Sequence, residues 1–278
     1  MNNSLVNAMT VDVEDYFQVS AFASVVSPSD WDSIKPRVDA NTSRILEMFS
    51  QHEATATFFI LGWVAERFPE LVKEIAAAGH EVASHGYMHQ RASTQTPEEF
   101  RQDIADTKKL LEDIIGSEVV GYRAPSFSIS DDNLWAYDVL ADVGYQYSSS
   151  IYPVVHDHYG MPDAPRFKFQ TSSGVWEIPM STLTVSGKNV PISGGGYFRL
   201  YPYLATHFAI KRFQSVDPEP YIFYMHPWEI DPDQPRQAGL PLKSRFRHYL
   251  NLSRFEGRLH KLLSQHRWSS MQQVFLDA

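Results

Sequence analysis

Short apolar runs alternate with amphipathic stretches through the first half of the chain, and this alternation sets the expected fold. Residues 8–13 form an apolar run ending among three acids, Asp12, Glu14 and Asp15. It predicts a buried central strand with carboxylates at its C-terminal end. A helix is predicted over 41–51, with Ile45, Leu46 and Phe49 on one face and Asn41 or Thr42 as its cap. Residues 54–61 predict a second buried strand. Pro69 opens a helix over 69–78 that Gly79 ends, and residues 80–84 predict the next strand. Thr96-Pro97-Glu98-Glu99 opens a longer helix in which Phe100, Ile104, Thr107, Leu111 and Ile114 recur at helical spacing, closed by Gly116. A strand over 119–122, a helix over 132–143 ended by Gly144, and a strand over 145–148 follow. Strands alternating with helices predict a parallel α/β sheet or barrel, whose functional groups gather at the C-terminal strand ends.

The second half is less regular. Residues 154–220 carry scattered prolines (Pro162, Pro165, Pro179 and Pro191 among them), a strand-like stretch at 174–180, a glycine triplet at 194–196 and a helix after Tyr203. We read this as a loop-rich insertion, with the triplet a closely packed or flexible turn. A strand over 221–225 leads into His226-Pro227-Trp228-Glu229. The pattern over 242–263 is an amphipathic helix, so the expectation is one domain, residues 1–278, with a helical C-terminal extension from about 240.

Composition narrows the chemistry. The 278 residues carry a net charge of −9, which disfavours a broad nucleic-acid interface. The basic stretch at 243–267 reads as a solvated helix face. With no cysteine, disulfides and thiolate metal sites are excluded, and any metal must use His, Asp or Glu. The chain lacks an apolar run of about 18 residues, so no membrane-spanning helix is expected. Residues 1–8 show neither the basic segment nor the apolar core of a secretory signal, giving the expectation of a cytoplasmic protein. The sequence leaves the oligomeric state open.

His85 and His89 stand four apart just after a predicted strand. On a helical turn they would share one face and could grip one ion. Three other predicted strand ends carry polar residues: Asp12/Glu14/Asp15, Arg123 and His226. Two imidazoles and a carboxylate can hold a divalent ion, a second carboxylate can take a proton from water, and a histidine can protonate a leaving group. Each piece alone has a plainer reading, as a solvated strand end, a surface ion pair or a packed histidine; the conjunction favours chemistry. His156 and His158, flanking Asp157, could form a second metal set or an ordinary loop. No H-E-x-x-H, G-x-S-x-G, Walker A or G-x-G-x-x-G pattern is present.

Thr10-Val11-Asp12-Val13-Glu14, His85 to His89, Arg123-Ala124-Pro125-Ser126-Phe127 and Phe223-Tyr224-Met225-His226 occur in the order of the motifs of the polysaccharide deacetylase family, which the chain resembles. The resemblance includes nodulation-type chitooligosaccharide deacetylases. Ser193-Gly194-Gly195-Gly196-Tyr197-Phe198-Arg199, His226 to Asp231 and Arg245 to Tyr249 are similar to the branch encoded in exosortase-linked exopolysaccharide loci. The resemblance implies an irregular (β/α) barrel of about seven parallel strands and removal of N-acetyl groups from amino sugars of an oligo- or polysaccharide. It implies Asp12 as base, Arg123 orienting it, His226 as acid, and one divalent ion, expected to be zinc, on Glu14, His85 and His89. Asp15 remains an alternative carboxylate ligand. Phe127, Tyr197 and Trp228 are expected to wall the sugar site. The chain departs from the family in having Val13 between its two acids, and Gly86 where Ser or Thr usually follows the first histidine. The fourth motif has only Trp135 and Asp138 as candidates. An amidohydrolase for small amides, or a carbohydrate-binding protein without turnover, are the rival readings.

Overall fold

The computed structural model describes residues 5–156 and 159–277. The first half follows the predicted alternation: β1 (Val6–Val13), α1 (Val38–Gln51), β2 (Thr57–Ile60), α2 (Gly62–Arg67), α3 (Pro69–Ala77), β3 (Glu81–Ser84), α4 (Pro97–Ile115), β4 (Gly121–Tyr122), α5 (Ala136–Val143) and β5 (Tyr147–Ser148). Next come β6 (Phe169–Gln170), β7 (Trp176–Glu177), a hairpin of β8 (Thr182–Val185) and β9 (Lys188–Pro191), α6 (Gly195–Leu200), α7 (Tyr203–Val216) and β10 (Ile222–Met225). The chain ends in α8 (Leu242–Tyr249), α9 (Leu252–Gln265), β11 (Arg267–Ser269) and α10 (Met271–Phe275).

One sheet runs β10-β1-β2-β3-β4-β5-β7-β6. Its first seven strands are mutually parallel, as the expected barrel requires, and only β6 is antiparallel. Among the described residues the ends, β10 and β6, do not pair, so the barrel is open. The sheet is nevertheless curled. Arg123, just past β4, bonds Asp12 on β1. Three strand spacings on a flat sheet would separate those strands by about 14 Å, beyond one side chain's reach.

Alternation along the strands makes two apolar layers. Met9, Val11 and Val13 of β1, Phe58 and Ile60 of β2, and Phe223 and Met225 of β10 face the helices. Ala8, Phe59, Ile222 and Tyr224 face the interior of the curl. Thr10 and Asp12, in phase with Ala8, therefore point inward, where the polar residues meet.

Local rules account for the best-fixed boundaries. α4 starts in a reciprocal box, Thr96 accepting from the Glu99 amide and Glu99 from the Thr96 amide, and stops at left-handed Gly116. α5 stops at left-handed Gly144. Other expectations need correction. α1 begins at Val38, and neither Asn41 nor Thr42 caps it: Asn41 bonds Asp231 and Thr42 donates to the Val38 carbonyl. The 242–263 helix breaks into α8 and α9 at Asn251, which is left-handed (φ 53°). Residues 154–220 are more than loops, since β7 extends the main sheet beside β5. The C-terminal extension is not wholly helical: β11 pairs with the part of β1 that precedes its β2 contact.

His80 sits under the sheet between Phe49 and Phe58, its Nδ1 accepting the Ala56 amide N–H at 3.2 Å. Burial pushes its pKa down to about 4. The folded chain therefore resists protonating it while the unfolded chain does not. Stability should fall by on the order of 3 kcal/mol as pH drops from about 6.5 to 4. Urea titrations of wild type and His80→Gln across that window check this; equal pH slopes in the two proteins would refute it.

Candidate metal centre

Strand ends β1, β3, β4 and β10 deliver the polar residues to one mouth. Asp12 sits near the end of β1, with Glu14 just beyond it. Both are buried, and both line a cavity of about 550 Å³ with His85, His89 and His226. The nitrogen and oxygen donors of Glu14, His85 and His89 lie within 4.8 Å of one another.

The two histidines do not meet on a helical turn, as their spacing suggested. Residues 85–90 form an irregular loop in which Gly86 (φ 73°) and His89 (φ 53°) are left-handed. Asp103 of α4 holds that loop by accepting the Tyr87 amide N–H at 3.0 Å. A Cβ on Gly86 would lie 2.8 Å from a carboxylate oxygen of Asp103. The loop's backbone and this contact both call for glycine where the family usually has Ser or Thr.

His85 Nδ1 lies 2.8 Å from the Arg123 carbonyl. That bond makes Nδ1 the protonated nitrogen and leaves the Nε2 lone pair for a ligand. Burial pushes the His85 pKa down to about 4, so the ring is neutral near pH 7. Burial works against ionising Glu14, but the neighbouring His89 and His226 imidazoles hold its pKa down at about 2. Glu14 Oε2 is 2.8 Å from His89 Nε2, yet this buried oxygen has no aligned hydrogen-bond donor. Two imidazole nitrogens and an ionised carboxylate, crowded together without the hydrogen bonds that would explain the crowding, fit a divalent cation.

Asp15 faces elsewhere. Its oxygens accept the main-chain N–H groups of Tyr16, Arg37 and Val38, capping α1. Asp12 accepts from Arg123 Nη1 at 2.6 Å. The guanidinium also donates to Thr10 Oγ1, the Ser149 carbonyl and the Ser149 hydroxyl. His226 presents Nε2 to Glu14 Oε1 at 3.5 Å and Nδ1 to Glu229 Oε2 at 3.3 Å. Burial opposes charging His226, but Glu14 and Glu229 raise its pKa to about 9.

Of the expected aromatic walls, Phe127 and Tyr197 line the cavity. Trp228 also borders it, but its ring stacks on His226 (centroids 5.2 Å apart) and His248 (4.2 Å). That ring therefore packs the two imidazoles while it borders the cavity. Trp135 packs on Phe100 and Asp138 bonds Ser173, and neither lines the cavity. The carboxylate beside His226 is instead Glu229, fixed by Arg199 Nε at 2.8 Å. Sequence reading missed this pair. A Glu three residues after His226, with Pro227 between, was a capping signal for half of it; the contact with Arg199, thirty residues away, had no local signal. Gly195 makes room for the pair, since a Cβ there would lie 1.9 Å from Glu229. His156 lines the cavity, while Asp157 and His158 lie outside the described residues.

Glu14→Ala should abolish cation binding with little loss of stability, whereas Asp15→Ala should keep the cation and cost about 2 kcal/mol through the lost cap. Elemental analysis and urea unfolding of both variants read this, and cation loss in Asp15→Ala alone would reverse the assignment.

Residues 30–148 match the family model described as polysaccharide deacetylase. Residues 149–276 match one described only as a domain of unknown function. A peptidoglycan-N-acetylglucosamine deacetylase of Bacillus cereus is 38% identical over 96 residues, covering 34% of this chain and 35% of that protein. A chitooligosaccharide deacetylase of a Bradyrhizobium species is 29% identical over 100 residues, 36% of this chain and 43% of that protein. The matched stretch thus spans less than half of either relative. In fold, the chain is similar to a Mycobacterium smegmatis protein provisionally named a polysaccharide deacetylase (TM-score 0.62, 19% identical, 98% of this chain and 88% of that one). It is also similar to a CE4 family pseudoenzyme of Bacillus anthracis (TM-score 0.50, 16% identical, 99% and 66%). Residues 30–148 thus match the polysaccharide deacetylase family, and the curled parallel sheet to which they contribute continues beyond them.

Proposed function

We propose that the chain is a metal-dependent hydrolase that removes N-acetyl groups from amino sugars of an oligo- or polysaccharide. The observation that carries this reading is the placement of a buried Asp12–Arg123 pair beside the Glu14, His85 and His89 cluster, with His226 next to it at the same cavity mouth. Glu14, His85 and His89 would hold one divalent ion, zinc in this proposal from the donor set, which supplies Lewis-acid polarisation of the acetyl oxygen. Asp12 takes a proton from the attacking water as oxygen bonds to the acetyl carbon. Arg123 fixes the carboxylate for that transfer. His226, charged near neutral pH, gives its proton to the sugar nitrogen as the C–N bond breaks, leaving acetate and a free amine. Phe127 and Tyr197 are the sugar-facing walls in this reading.

Matches to two families do not divide the site. Asp12, His85 and Arg123 come from the first half, and His226 and Glu229 from the second, so we treat residues 1–278 as one catalytic unit. The three segments behind the exopolysaccharide-branch resemblance meet around Trp228. Arg199 pairs with Glu229, donates to the main-chain carbonyls of Arg247 and His248, and lies 5.3 Å from the Trp228 ring. That convergence supports reading them as one functional feature, and with it a role in exopolysaccharide synthesis.

Wild type should carry about one cation per chain and His85→Ala none, by elemental analysis. With N-acetylated chitooligosaccharides, Asp12→Asn should retain the cation and lose acetate release, and His226→Ala should lower kcat about 10²–10⁴-fold with the cation retained. Full turnover in Asp12→Asn would remove the base from this mechanism, and an unchanged kcat in His226→Ala would remove the acid.

A further inference from the structure

The surface beside the cavity on α6 and α8, continued along the exposed side of α7, has a composition that hydrolysis does not require. α7 turns Thr206, Ile210 and Phe213 inward and leaves Leu204 and Phe208, four residues apart, 66% and 67% exposed. α8 buries only His248 and exposes Leu242 (84%) and Phe246 (59%), again four apart. α6, which leads into α7, meets α8 at the cavity: Leu200 of α6 and Phe246 both line it, and Arg199 donates to the carbonyls of Arg247, His248 and Leu250. Charge is equally uneven. Residues 194–216 and 240–255 hold seven Lys/Arg and no Asp or Glu, in a chain whose acids outnumber its bases 33 to 24. Lys211, Arg212, Lys243, Arg245, Arg247 and Arg254 are exposed.

We infer that this face docks on an anionic lipid surface and sets the cavity mouth against it. Leu and Phe four apart on short helices, interleaved with Lys and Arg and without acids, are the composition of an interfacial helix. The apolar side chains enter the acyl boundary and the cations stay among the headgroups. A solvated helix face, the plainer reading of the basic stretch, does not account for the exposure of Leu242 and Phe246. A second copy of the chain is the other apolar partner to weigh. A two-fold interface would set the same basic residues against each other, which like-charge repulsion opposes. No helix among the described residues is long and apolar enough to cross a membrane, so the contact is peripheral. The inference holds whatever reaction the cavity runs.

The test is sedimentation of the full chain with phosphatidylcholine vesicles made with and without phosphatidylglycerol. Binding is expected only with phosphatidylglycerol, and it should weaken as salt rises. Arg245→Ala should lower the partition constant about fivefold. Leu242→Asp, and the double variant Leu204→Asp/Phe208→Asp, should abolish binding with unchanged thermal unfolding. Equal binding to both vesicle types, no binding to either, or wild-type binding by these variants would overturn the inference. So would a wild-type dimer in solution that Leu242→Asp converts to monomer, which would assign the face to a second copy. The lipid and salt comparisons need no variant, so they decide the matter even if a substitution fails to fold.

Discussion

Arg123 is a guanidinium with no solvent contact, buried inside a curled sheet. Its five N–H groups have five acceptors: the Ser149 carbonyl, Thr10 Oγ1, Asp12 Oδ1, the Ser149 hydroxyl and, more weakly, Met180 Sδ. A buried charge so fully bonded adds little net stability, but removing either partner leaves an unpaired ion and costs about 3–5 kcal/mol. Its consequence is geometric. The pair can form only if β4 curves round toward β1, and that curvature brings four strand ends to one mouth. The same residue's carbonyl receives the His85 Nδ1–H. Arg123 thus fixes the Asp12 carboxylate with its side chain and the His85 imidazole with its backbone.

Around that anchor the backbone leaves its ordinary conformations. Six described non-glycine residues have positive φ, and three of them, His89, Ser126 and Phe127, border the cavity. Each such residue costs roughly 1–3 kcal/mol and persists only where the surroundings over-determine it. Here the surroundings are identifiable. Asp103 bonds the loop that carries His89. The Ser126 hydroxyl lies 2.6 Å from that of Ser20, and Phe127 packs edge-on against Tyr152 and Tyr224. The strain is concentrated where side chains must be aimed, and the regular elements behind it are conventional.

Much of the scaffold was legible because local rules decide it. Short apolar runs marked β1 and β2, and a capping box and a left-handed glycine bounded α4. The order of strand ends was enough to gather Asp12, His85, Arg123 and His226. The parts that were not legible depend on partners distant in sequence. Asp15 reads as one acid among three until α1, more than twenty residues on, turns its first amides toward it. The two histidines read as a helical pair because their spacing is that of a turn, and only the loop's left-handed residues show a different route to the same proximity. β11 is three residues long and gains its identity from β1. The Arg199–Glu229 contact is fixed by tertiary packing around Gly195, which no periodicity encodes.

The fold alone does not carry the catalytic reading, since a CE4 family pseudoenzyme shares it. The reading rests on how side chains are constrained. His226 is the clearest case. Its ring stacks parallel to Trp228, whose own ring stacks on His248, and His248 is held by Gln234 at 2.7 Å. These contacts fix the plane of the imidazole. Glu229, itself pinned by Arg199, takes Nδ1, and this fixes which nitrogen is turned toward the cavity. What remains is Nε2, facing Glu14 and the space beside Asp12. A histidine retained only for packing needs its plane held but not its two nitrogens distinguished. Here both are set, by residues from three separate segments, and that is the arrangement proton delivery to a single point requires.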